Sequence, residues 1–125
     1  MALTIKTAES KPRVFTVTLA GSLDSSTYAE LEQKLDYLVS EGAARMITLD
    51  VAGLEFISSM GLRILFKAQK DLARTGGSLG LARVPPPVKK ALEIVEALPS
   101  LKVFASIQEL DGYLARMEQQ AAQGN

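Results

Sequence analysis

The segment MITLDVAGLEFISSMGLRIL, residues 46–65, decides how this chain folds. It opens with Met46-Ile47-Thr48-Leu49-Asp50-Val51, a strand-forming run whose apolar bias suggests a central place in a sheet. A short crossing segment, Ala52 to Ile57, leads to Ser58 and Ser59. Beyond them Leu62, Leu65, Phe66, Gln69, Leu72 and Ala73 trace one side of a helix that stops near Thr75-Gly76-Gly77. Lys67, Lys70, Asp71 and Arg74 form its wet side. A strand feeding an amphipathic helix is the repeating step of an α/β protein.

The same step recurs on both sides. Residues 3–7 alternate apolar and polar, and residues 13–20 do so more strongly. Ser10, Lys11 and Pro12 mark the turn of an antiparallel hairpin, and Gly21 closes its second strand. Ser22 to Thr27 is a loop rich in capping side chains. Tyr28, Leu31, Leu35 and Leu38 then predict a helix capped at Ser26 or Ser25 and stopped at Gly42. Downstream, Ser78–Val84 reads as a fourth strand, and Pro87 opens a helix with Val88, Ala91, Leu92 and Val95 inward. Leu101–Ala105 is a fifth strand. Ile107, Leu110, Leu114 and Met117 stripe a last helix capped at Ser106, and residues 118–125 read as a flexible tail. The order is β-β-α-β-α-β-α-β-α. It predicts one α/β domain over residues 1–125, with a mixed, largely parallel five-stranded sheet and about four helices.

Composition removes several functions. With 125 residues and 47% apolar content the chain can bury a core. Lys and Arg total 14, as do Asp and Glu, so no net charge draws nucleic acid or anionic lipid. Tyr28, Tyr37 and Tyr113 lack the basic context of a base-stacking platform. The absence of cysteine and histidine excludes disulfides, thiolate chemistry and a Ser-His-Asp triad built from this chain. The first ten residues lack the pattern of a signal peptide, and no apolar run is long enough to span a membrane. The cytoplasm is therefore the expected compartment, without membrane insertion. Gly76-Gly77-Ser78-Leu79-Gly80 lacks the ending of a phosphate loop. Asp24, Asp50 and Glu55 fall near one sheet edge, where they read as loop caps in preference to magnesium ligands. No metal, cofactor or catalytic group is predicted.

The informative constellation is Ser58-Ser59-Met60-Gly61. A helix start exposes amides without intrahelical acceptors. Ser58 can cap one of them, leaving the Ser59 hydroxyl free in the first turn. A phosphate on Ser59 would meet unpaired amides and the positive end of the helix dipole, adding about −1.5 to −2 charge. Simple capping is the plainer reading of such a serine. Arg63 and Lys67, four residues apart, share one helix face and could meet acidic groups on a partner. Met60 reads either as a small core contact or as an exposed anchor.

Across about residues 3–117 the chain resembles the STAS domain, shared by bacterial anti-sigma factor antagonists and the cytosolic tails of sulfate transporters. The resemblance rests on Gly21-Ser22-Leu23-Asp24, on Met46 to Asp50, and on Phe56-Ile57-Ser58-Ser59-Met60-Gly61-Leu62. The family commonly reads Asp-Ser-Ser-Gly-Leu there, and variants reading Ser-Ser-Ala-Gly-Leu-Arg are closer to this chain. Aligned on Gly61, the resemblance implies that Ser59 is the phosphoacceptor. Ser58 then replaces the family aspartate, and Met60 its second serine. Asp24 falls on the aspartate of a loop beside the phosphoacceptor. The implied partner is an anti-sigma factor or serine kinase of the histidine-kinase-like ATPase type, which would bind the ATP itself. A PP2C-type phosphatase would reverse the step. The resemblance equally admits a non-phosphorylated interaction module in a larger sensory or transport complex.

Overall fold

The computed structural model describes residues 2–94, 102–104 and 112. The strands are β1 (Leu3–Lys11), β2 (Val14–Leu23), β3 (Met46–Ile57), β4 (Ser78–Ala82) and β5 (Lys102–Phe104). Between them lie α1 (Tyr28–Ser40), α2 (Ser59–Ala73) and α3 (Pro86–Ile94). The sheet runs β1-β2-β3-β4-β5, with β1 antiparallel to β2 and the remaining pairs parallel. Apart from residue 112, the helix expected around Ile107–Met117 lies outside the described residues. So do Val95, the cap at Ser106 and the tail.

Burial follows the pleat. Ile47, Leu49 and Val51 on one face of β3 join Leu31, Leu35, Leu62, Leu65 and Leu72 of α1 and α2 in one apolar cluster. Met46, Thr48 and Asp50 on the alternate face are buried as well, which marks β3 as a central strand. Val88 and Leu92 bring α3 into the same cluster.

The strands run further than local patterning suggests. The β1–β2 hairpin turns at Pro12-Arg13, and Arg13 adopts a left-handed backbone at φ 65°. Gly21 does not close β2, which continues to Leu23. Its φ of 104°, together with the carbonyl of Ala2 only 2.1 Å from where a Cβ would stand, explains why glycine occupies this position. The segment 52–57 is likewise no crossing loop but the second half of β3. Thr18 pairs with Asp50 and Ala20 with Gly53, so β3 uses three residues against two of β2. Gly21 pairs with Leu54 and Ser22 with Phe56, a second extra residue. These two bulges convert the inward repeat from two to three, so that Val51, Leu54 and Ile57 are buried.

Other expectations shift by a residue or a face. The N-cap of α1 is Thr27, not Ser25 or Ser26. On α2 the buried stripe is Gly61, Leu62, Ile64, Leu65, Ala68 and Leu72. Phe66 and Ala73, expected inward, are exposed, and Gln69 is half-buried with its carbonyl oxygen accepting the Leu79 amide at 2.9 Å. The sheet meets α2 along the 61-64-65-68-72 row, which rotates Phe66 outward. β4 ends at Ala82 because Arg83 turns left-handed, at φ 55°. The helix after it begins at Pro86, one residue before Pro87.

Replacing Gly21 tests this geometry. Gly21→Ala should destabilise the fold by about 1–3 kcal/mol through backbone strain, before any clash with Ala2 is added. The urea midpoint should fall accordingly, and further than for Gly76→Ala, which carries the same left-handed strain at φ 80° but where a Cβ meets nothing within 4 Å.

Candidate functional site

Two loops meet at the carboxyl ends of β2 and β3. The Ser58 amide donates to the Leu23 carbonyl at 2.8 Å, tying the start of α2 to the residue before Asp24. Gly61 completes the junction. A Cβ there would stand 2.8 Å from Leu23 Cγ and 2.9 Å from Ile57 Cγ1, so only glycine lets the helix sit this close to both strands.

The Asp24 loop is internally bonded. The Thr27 hydroxyl donates to the Ser22 carbonyl at 2.8 Å and accepts the Asp24 amide at 2.9 Å. The Asp24 carboxylate accepts the Ser26 hydroxyl at 2.7 Å and the Ser26 amide at 2.9 Å. Those bonds favour the ionised form, the Ser26 hydroxyl most, and hold the carboxyl below its ordinary value.

Ser58 caps α2. Its backbone is extended, and its hydroxyl oxygen accepts the Gly61 amide at 3.3 Å. Ser59 opens the helix, is exposed, and its hydroxyl makes no hydrogen bond among the described residues. No acidic side chain lies in the first turn to offset the positive helix end. Met60 is half-buried, between the two roles considered for it.

The flanking charges divide. Arg63 is exposed and makes no ion pair among the described residues. Lys67, expected to face a partner, instead bonds Glu32 and Asp36 of α1, each at 3.1 Å. The hydrogen bond to Glu32, then that to Asp36, raises its pKa. Phe56 at the end of β3 is 52% exposed, a feature that patterning alone did not assign. The Val51-Leu54-Ile57 spacing carries that signal, because an inward repeat of three turns Phe56 to solvent. Asp50 is only 4% exposed and is paired with Arg83, whose Nε lies at 3.1 Å and whose Nη2 also donates to it. Asp24, Asp50 and Glu55 thus do not converge. No metal-holding group of three or more acidic residues occurs among the described residues.

The STAS domain family model matches residues 6–110. The chain belongs to the STAS domain family. Over 76 residues this STAS chain is 36% identical to BtrV of Bordetella bronchiseptica, whose name describes an anti-sigma factor antagonist. That match covers 61% of this chain and 65% of BtrV, just under two thirds of its length. An anti-sigma factor antagonist from Mycobacterium paratuberculosis shares the fold with a TM-score of 0.79 at 21% identity, covering 91% of this chain and 93% of that one. SpoIIAA of Bacillus, solved in unphosphorylated and phosphorylated forms, has TM-scores of 0.73 and 0.72, both at 17% identity. The unphosphorylated form is covered over 98% of its length and the phosphorylated form over 99%, against 90% and 88% of this chain. Among the described residues no helix of this STAS domain is long and apolar enough to cross a membrane.

Two measurements check the site. The Asp24 carboxyl should titrate below 3.8, so its ionised form supports the loop at higher pH and that support is lost as pH falls through the lowered value. Carboxyl NMR of Ser26→Ala should show the midpoint rising toward 3.8. Ser58→Ala should cost about 1 kcal/mol in urea unfolding, whereas Ser58→Asp should stay near neutral because both side chains cap.

Proposed function

We propose that this STAS domain is a partner-switching regulator of the anti-sigma factor antagonist kind, with Ser59 as its phosphoacceptor. In the unmodified state it binds an anti-sigma factor that is also a serine kinase of the histidine-kinase-like ATPase type. The observation that carries this reading is the exposed, unengaged Ser59 hydroxyl in the first turn of α2.

The chemistry balances without a catalytic group from this chain. Ser59 Oγ attacks the γ-phosphorus of ATP held by the partner, the bond to ADP breaks, and the hydroxyl proton leaves to the partner or solvent. Hydrolysis by a PP2C-type phosphatase restores the serine and releases inorganic phosphate. A phosphate on Ser59 is favoured by the helix dipole, and its negative charge is added at the junction where the Ser58 amide meets Leu23, the residue before Asp24. The dianion therefore changes a surface that otherwise offers Phe56, Arg63 and half-buried Met60.

Serine in place of the usual family aspartate at position 58 does not argue against the switch. Both residue types accept the same capping bond, so the presentation of Ser59 is preserved.

Co-purification of the partner followed by intact-mass measurement with ATP tests the reading. One phosphate should be added to the wild type and none to Ser59→Ala, which should still bind. Ser59→Asp should bind at least about tenfold more weakly. A complex indifferent to ATP, to phosphatase and to both variants would instead identify a constitutive interaction module.

A further inference from the structure

The amino ends of the parallel strands, opposite Ser59, enclose a cavity of about 380 Å³. Its walls include Arg13 and Arg45, the residues just before β2 and β3, with Ser40, Ala43 and Thr75 around them. The arginines are joined through the backbone, since the Arg45 amide donates to the Arg13 carbonyl at 2.9 Å. No carboxylate lines this cavity among the described residues. Glu9, the nearest acid by bonding, accepts the Arg13 amide at 2.8 Å and does not pair with its guanidinium.

Three observations single the cavity out. The Arg45 side chain makes no hydrogen bond or ion pair among the described residues, and its Nε is buried without a partner, so its guanidinium is left uncommitted. Two of the three non-glycine residues with left-handed backbone among the described residues, Arg13 at 65° and Ala43 at 48°, border it. Such conformations are costly and collect at ligand sites. The hydroxyls of Ser40 and Thr75 already donate to the Asp36 and Leu72 carbonyls, so the guanidinium groups are the donors that remain. The carbonyl ends of α1 and α2 account for cations at this end of the molecule, but not for a buried donor left unpaired.

We propose that this cavity binds a small phosphate-bearing molecule, its phosphate gripped by Arg13 and Arg45. Guanidinium forks match phosphate oxygens in pairs, and the volume exceeds what one phosphate fills. The site is independent of Ser59, which lies at the far end of β3.

Titration of the full-length ¹⁵N-labelled chain with inorganic phosphate and with glycerol 3-phosphate, against matched chloride, tests the proposal. Saturable shifts should centre on the amides of Arg13, Ala43, Arg45 and Thr75, with a dissociation constant on the order of 1 mM or tighter. Tighter binding of the ester would point to an organic phosphate, and equal binding to the free ion. Arg45→Met should weaken binding at least about tenfold. Arg13→Gly should do the same without lowering the melting temperature, because glycine accepts the left-handed backbone. Lys89→Ala, at an exposed position of α3, should bind like wild type. Absent or non-saturating shifts, shifts centred on α2's first turn, or undiminished binding in both arginine variants would overturn it.

Discussion

The parallel ladder between β2 and β3 is the constraint on which the functional end depends. Counting regularly from the Thr18–Asp50 pair, Leu23 would face Glu55. The two bulges instead set Leu23 against Ile57, and this brings the Ser58 amide to the Leu23 carbonyl. That bond places the cap of α2 against the Asp24 loop. Gly61, pressed on Leu23 and Ile57, then lets the helix follow at close range. The register of one strand pair thereby determines where a serine hydroxyl stands relative to a carboxylate.

Charge pairing elsewhere keeps that end uncluttered. Asp50 is buried in β3, where it pairs with Arg83, just past β4, and accepts the Ala52 amide at 3.3 Å, so neither Asp50 nor Arg83 enters the Ser59 surface. Such a pair contributes little net stability but would be costly to break from one side. Lys67 is drawn off toward Glu32 and Asp36, bridging α2 to α1. These exposed contacts are weak, yet they leave Arg63 as the cation nearest the helix start along α2. The two ends of the sheet consequently differ: one offers an exposed hydroxyl at a helix start, the other two arginines around a cavity.

Much of this was legible in residue order. The alternation of fold elements follows from apolar spacing, since helices and half-buried strands impose periods that a short window reveals. The positions of Ser58 and Ser59 were legible too, because a cap acts within three residues of itself and the Gly61 amide is its target. The junction of the Asp24 and Ser59 loops came from family likeness and was not readable from spacing.

By itself the sequence determined the α/β order, the capped helix start and the outward serine at position 59, each a consequence of contacts between near neighbours. The tertiary structure alone decided the length of β3, the capture of Lys67 by residues 31 and 35 positions away, and the meeting of Arg13 with Arg45. These depend on strand register and helix packing, which join residues far apart in the chain and leave no periodic trace in it.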